Sequence, residues 1–239
     1  MMASSSLSNV LFFPFIAPPN GGKGTQTSIL AERYGLSRVD MGSLLRKLAK
    51  DSSPLAQRVK DTLAQGKLVD LATVIDVLQD GIEKELAAKG NPNEAVGFIL
   101  DGFPRSSEQT EALLDLCQRS GAKIAAAYYL DVPYGEIEAR AANRRICADC
   151  GTIYNLASKP PAVEGVCDVC GGTHLEHRVD DHPEKVQVRL QGFDADTLPI
   201  LAQFEANNLL IRVDGNRPVA EITAELCTLV EQHLPKVRV

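Results

Sequence analysis

Along this chain, short unbroken apolar runs alternate with longer stretches in which apolar positions return every three or four residues. The runs are Val10–Ile16, then Val96-Gly97-Phe98-Ile99-Leu100, then residues 124–130 ending at Asp131. Runs of this length, bounded by Gly, Pro and Asp, predict buried strands. The longer stretches, residues 54–65, 72–89, 108–120, 135–145, 182–207 and 219–234, predict amphipathic helices, and a further helix is expected over 24–34, stopped by Gly35. Strands alternating with helices predict an α/β fold, a parallel sheet wrapped by helices. One residue resists the pattern. Pro14 sits inside a predicted central strand, where a missing amide hydrogen is normally forbidden.

Residues 143–181 break the alternation with cysteines, glycines and prolines, and read as an inserted subdomain too small to fold without a metal. Within it Cys147-Ala148-Asp149-Cys150 is followed, sixteen residues later, by Cys167-Asp168-Val169-Cys170. Two such knuckles match the tetrahedral coordination of a structural zinc. The alternative is two disulfides. Six cysteines in 239 residues are sparse for a disulfide scaffold, and no Lys or Arg precedes Lys23 to form the cationic start of a secretion signal. We therefore read a zinc site in a reducing cytoplasm. His174 and His177 flank the second knuckle and are expected to be exposed bystanders, while Cys117 and Cys227 lie among apolar neighbours as small buried hydrophobes.

Composition narrows the class. A net charge of −6 and a pI near 5.3 argue against nonspecific coating of nucleic acid. No apolar stretch reaches the length of a membrane span, and no repeat occurs apart from the two knuckles. Any anion this protein binds must meet a local cluster of arginines.

The chemistry starts at Pro19-Asn20-Gly21-Gly22-Lys23-Gly24-Thr25-Gln26, between the first predicted strand and a helix. Successive amides from Asn20 to Thr25 can surround phosphate oxygens at the positive end of that helix, with Lys23 reaching the phosphoryl group in flight.

With Asp101-Gly102-Phe103-Pro104-Arg105, Arg144-Arg145, the cysteine quartet and Arg178-Val179-Asp180-Asp181, this loop resembles, in order from about residue 10 to 215, adenylate kinases with a zinc-containing lid. The resemblance implies a phosphate-loop nucleoside triphosphate hydrolase-like fold. Its core comprises residues 1–39, 70–142 and 182–239, with a monophosphate-binding flap at 40–69 and a mobile zinc lid at 143–181. It implies transfer of the terminal phosphoryl group of Mg-ATP to AMP, giving two ADP, by a cytoplasmic monomer. The acceptor is already an anion, so the task is to position two polyanions and neutralise their repulsion.

By motif position, the resemblance makes Lys23, Arg144, Arg178 and Arg189 catalytic. ATP would be held by Asn20, Gly21, Gly22, Lys23, Gly24, Thr25, Arg140, Arg144 and Asn216. AMP would be held by Met41, Arg46, Lys67, Val69, Gly102, Arg105, Gln109, Arg178 and Arg189, with Gln109 reading the adenine edge. Asp101 would order the water shell of Mg²⁺, Asp180 and Asp181 would pair with lid arginines at the hinge, and Cys147, Cys150, Cys167 and Cys170 would bind Zn²⁺.

The chain departs from this family in three places. Ala17 and Asn20 replace loop glycines, the second being acceptable where the backbone is left-handed. Asp40-Met41-Gly42-Ser43 stands where the family reads Ser-Thr-Gly-Asp, so Met41 replaces a threonine that faces the monophosphate base. A relative with another or broader acceptor base is the alternative, although Gln109 and Gly66-Lys67-Leu68-Val69 favour AMP. A noncatalytic nucleotide- or nucleic-acid-binding zinc module is the third reading, and arginines retained in separate segments count against it.

Overall fold

The computed structural model describes residues 7, 9–65, 67–89 and 96–234, so Gly66 lies outside the described residues. The chain runs through β1 (Val10–Ile16), α1 (Lys23–Tyr34), β2 (Ser37–Asp40), α2 (Met41–Leu48), α3 (Pro54–Ala64) and α4 (Leu71–Lys89). It continues with β3 (Val96–Asp101), α5 (Ser107–Ser120), β4 (Lys123–Ile124), β5 (Ala127–Asp131) and α6 (Tyr134–Asn143). Three short strands follow, β6 (Arg144–Cys147), β7 (Ile153–Asn155) and β8 (Leu175–Glu176). The chain then forms α7 (Pro183–Gly192), α8 (Leu198–Ala206), β9 (Leu210–Asp214) and α9 (Val219–Glu231).

The expected parallel sheet is present, in the order β2-β3-β1-β5-β9, with β4 also on β1. Its central strand β1 is apolar on both faces because helices cover both. Phe13 and Phe15 point into the cluster formed with Leu30 of α1 and Leu226 of α9. Phe12 points the other way, toward Phe98, Leu78 and Leu45, and Ile16 toward Phe204 of α8. The second sheet, β7-β6-β8, is small and antiparallel, and belongs to the inserted segment.

Pro14 is tolerated for a reason the sequence does not show. The Phe12 carbonyl accepts the Ala125 N–H at 2.9 Å, so Phe12 and, two residues on, Pro14 turn their backbone groups to the same side. On that side β1 pairs with β4 through Leu11 and Phe12, and with β5 through Phe15 and Ile16. The missing N–H falls in the gap between them. The run at 124–130 is therefore two strands broken at Ala125 and Ala126, and not the single strand expected.

Other elements differ from expectation. The expected helix over 182–207 is α7 and α8 joined by a single wider π-helical turn at Phe193–Thr197. Helix α6 ends at Asn143, so Arg144 and Arg145 lie on β6 and not on a helix. Strand β2, helix α2 and strand β9 were not predicted. The β2 segment, Ser-Arg-Val-Asp, is too short and polar to carry an apolar run.

Candidate active site

The site lies where β1 and β3 end, beside the switch in strand order that opens a crevice in such sheets. After β1 the chain turns tightly, Gly21 N–H bonding the Pro18 carbonyl at 3.0 Å, with Asn20 at φ 60° as its left-handed position requires. A Cβ on Gly21 would stand 3.0 Å from the Pro18 oxygen and 3.2 Å from the Ala17 methyl. Ala17 thus fits because Gly21 offers no side chain to meet it. Both polar atoms of the Asn20 amide are buried without a hydrogen-bond partner. Helix α1 begins at Lys23 with no acidic residue in its first turn, leaving its positive end for anions.

Lys23 forms an ion pair with Asp101, the last residue of β3. Burial, then the charges of Arg105, Arg38 and Arg189, bring its ammonium down to about 7, with Asp40 pulling the other way. Asp101 is 3 % exposed and also accepts from the Thr27 hydroxyl at 2.7 Å and from Arg38 Nη2 at 2.6 Å.

Five arginines crowd the same crevice. Burial lowers Arg46, Arg105, Arg144 and Arg189, the last to about 10, and Arg178 adds to the depression of each. Cations packed this closely need anions among them. Asp40 acts on Arg46 and Arg105, Asp180 pairs with Arg178, and buried Asp181 takes Arg144 in a fork of 2.7 and 2.6 Å. Asp180 and Asp181 thus each pair with an arginine of the 143–181 segment.

The remaining candidates take distinct places. Gly102 has φ 80°, and a Cβ there would come 2.7 Å from Arg105 Nη2, because the guanidinium folds back so that Nε donates to the Gly102 carbonyl at 2.9 Å. Arg140 donates to the Gly215 carbonyl at 3.0 Å, beside Asn216, and its Nη1 lies 3.8 Å from where a Cβ on Gly22 would stand. Met41 and Val69 are buried in one apolar cluster with Phe103 and Leu45. Gln109 is buried with its Oε1 accepting the Arg105 N–H at 2.8 Å, so its NH₂ end remains for a ligand. Lys67 is exposed, and the structure gives its side chain no contact with the charged cluster.

Sequence reasoning missed Arg38, which sits on the unpredicted β2, and Thr197, whose hydroxyl donates to the Arg105 carbonyl at 2.9 Å. The wider turn before α8 carries Thr197, and such turns recur at functional sites.

Both flanking segments are folded onto the core. Ile153 Cδ1 of β7 lies 3.9 Å from where a Cβ on Gly24 would stand, so the inserted segment reaches the phosphate loop. On the other side Lys185 Nζ of α7 donates to the Ala64 carbonyl at the end of α3, at 2.8 Å.

In the inserted segment the sulfurs of Cys147, Cys150, Cys167 and Cys170 lie within 4.8 Å of one another. Cys147 approaches Cys170, and Cys150 approaches Cys167, each at 3.5 Å, and none is in a disulfide. Four thiols gathered this way suit a tetrahedral thiophilic metal. The buried Tyr154 hydroxyl donates to Cys167 Sγ at 3.3 Å and accepts the Asp168 N–H at 2.7 Å. His174 is exposed as expected, but His177 is not a bystander. It is half-buried, with Nε2 3.0 Å from the Ala141 carbonyl near the end of α6, which also accepts the Arg144 N–H.

Fold and site together define a phosphate-loop protein with a crevice crowded by cations. A family model described as adenylate kinase matches residues 15–209. Among curated proteins, the adenylate kinase of Caldicellulosiruptor bescii is 36% identical over 211 residues, 88% of this chain and 94% of its own length. That of Geobacter sulfurreducens is 35% identical over 217 residues, 91% and 96% of the two chains, and that of Staphylococcus aureus 34% over 213, 89% and 95%. The chain belongs to the adenylate kinase family.

Proposed function

We propose that this chain transfers the terminal phosphoryl group of Mg-ATP reversibly to AMP, giving two ADP. The observation that carries the reading is the gathering of Lys23, Arg46, Arg105, Arg144, Arg178 and Arg189, each from a different segment, around one crevice at the ends of β1 and β3. A single mononucleotide does not need so many cations. Two nucleotides whose phosphates meet end to end do.

In this reading the amides of Asn20 to Thr25 cradle the ATP phosphates, while Arg140 and Asn216 flank its adenine. Arg46 and Arg105 hold the AMP phosphate, Met41 and Val69 wall its base, and the free NH₂ of Gln109 donates to an adenine ring nitrogen. Lys67 would lie at the rim of that pocket, and Gly102 leaves room for Arg105. An AMP phosphate oxygen bonds to the γ-phosphorus as the bond to the ADP leaving oxygen breaks. Lys23 follows the transferring group, and Arg144, Arg178 and Arg189 spread its charge. No general base is required, because the acceptor is already ionised.

Asp101 would order the waters of Mg²⁺, which would neutralise charge between the ATP phosphates. The cysteine quartet would hold Zn²⁺, which would make residues 143–181 rigid enough to cover the site as one body and exclude water as a competing acceptor. The flap at 40–69 would cover AMP, and residues 1–39, 70–142 and 182–239 would form the static core. Unpaired cysteines support a reducing, cytoplasmic setting. The chain would act as a monomer on free nucleotides, its acidic balance counting against nucleic acid. Among the described residues no helix is long and apolar enough to cross a membrane.

The test is a coupled assay of ADP formation with Mg-ATP and AMP, GMP, CMP, UMP or dAMP. Preference for AMP of at least about tenfold is expected from the single donor of Gln109 within an apolar wall. Faster turnover with another base would overturn the acceptor assignment.

A further inference from the structure

Arg38 belongs to no motif, yet it joins the two halves of the site. Its Nε donates to Thr27 Oγ1 at 3.0 Å and to Asp101 Oδ2 at 3.1 Å, and its Nη2 to Asp101 Oδ2 at 2.6 Å and Asp40 Oδ2 at 3.0 Å. The other Asp101 oxygen is taken by Lys23. Asp40 is the N-cap of α2, its Oδ1 accepting the Ser43 N–H at 3.0 Å and its Oδ2 the Ser43 hydroxyl at 2.8 Å. Ser43 Oγ in turn accepts from Arg46 Nη2 at 3.1 Å. An unbroken line of polar contacts therefore runs Lys23, Asp101, Arg38, Asp40, Ser43, Arg46.

We propose that Arg38 is a positioning residue that couples the two nucleotide subsites, so that occupation of the ATP side readies Arg46 for the acceptor phosphate. The inference rests on the assignment of Lys23 and Arg46 to opposite subsites made above. Without nucleotide, Asp101 divides its charge between Lys23 and Arg38, and Asp40 holds the other side of the same guanidinium. When ATP phosphates draw Lys23 away, Asp101 is left with Arg38 as its one direct ion-pair partner among those described, since the Mg²⁺ assigned to it would be held only through water. The shared guanidinium then moves its weight from Asp40 to Asp101. Asp40 turns more fully to the Ser43 hydroxyl, and Arg46 is released to meet a phosphate. Asp at the cap and Ser three residues on, in place of Ser and then Asp, put the carboxylate where Arg38 can reach it. The exchange of residues at 40 and 43 and the arginine at 38 thus form one device. Coupling of this kind is a ratio of affinities and is reciprocal between the two ligands.

The measurement is AMP affinity by calorimetric titration, with and without the magnesium complex of β,γ-imido-ATP, in three proteins. The unaltered chain is expected to bind AMP more tightly with the analogue present. In Arg38→Gln that ratio is expected to fall at least about threefold. Asp40→Asn should show the same fall, because Asn caps a helix as well as Asp while removing the charge that Arg38 grips. A ratio changed by less than threefold in Asp40→Asn overturns the proposal, and this variant decides the matter if Arg38→Gln does not fold. An unaltered chain that binds AMP equally with and without the analogue overturns it as well. Failure of the unaltered chain to bind AMP at all would instead strike the functional reading on which the inference stands.

Discussion

The main sheet and the inserted segment solve the same problem, holding a shape, by different means. Around β1 the shape is held by apolar burial, with Phe12, Phe13, Phe15, Phe98 and Leu30 fully enclosed by helices on both faces. In the segment at 143–181 the buried cluster is Cys147, Tyr154 and Cys167, with Leu175 against it, and Leu156, Val163 and Val169 face solvent. So few apolar groups cannot offset the entropy of ordering some forty residues, at roughly 1–2 kcal/mol each for the backbone alone. A metal held by the four sulfurs would supply the difference. The segment is thus organised around the sulfurs, and the sheet around its aromatic and aliphatic side chains.

The largest effect expected separates chemistry from fold on the core side. Lys23→Met should lower kcat on the order of 10³-fold while the melting temperature stays within a few degrees, since the residue contributes charge to the site and not packing to the sheet. Steady-state assay and calorimetric melting of the same sample check both halves. Near-normal turnover would remove Lys23 from the mechanism.

A second test works on the other region. Cys167→Ser, which removes a buried sulfur and its bond from Tyr154, should strip most of the metal from the protein. It should also open residues 156–166 to proteolysis at least about tenfold faster, leaving the core fragment resistant. Metal analysis and timed digestion read the result. Unchanged metal content would mean that the four thiols are not the site, and digestion spreading into the core would mean that the two regions are not independent.

The smallest effect probes the loop between them. Asn20→Gly relieves a left-handed non-glycine residue and two buried polar atoms without partners, against the extra chain entropy of glycine. The net is a gain of up to about 1 kcal/mol, read as a rise of about 2–4 °C in melting temperature with kcat within about twofold. A fall in both would show that this loop has its own shape, which Asn20 maintains.

Much of this was legible from residues close in the chain. The phosphate loop, Asp101 to Arg105 and the two knuckles are local because backbone amides and paired ligands must sit at fixed short spacing to meet one phosphate or one metal. The long helices were legible from their period, and the apolar runs from their length. Strand β2 was not, since four residues alternating with Ser, Arg and Asp carry no run, and with it went Arg38.

By itself the sequence determined the α/β class, the phosphate loop, the metal knuckles and the inventory of arginines. Only the tertiary structure decided which cations share a crevice, that Pro14 faces a gap between β4 and β5, that Gln109 gives its oxygen to Arg105, and that Arg38 spans Asp101 and Asp40. The physical reason is range. Periodicity and motif spacing act over a few residues, whereas each of these outcomes depends on which distant groups the sheet order brings within hydrogen-bonding or Coulomb distance.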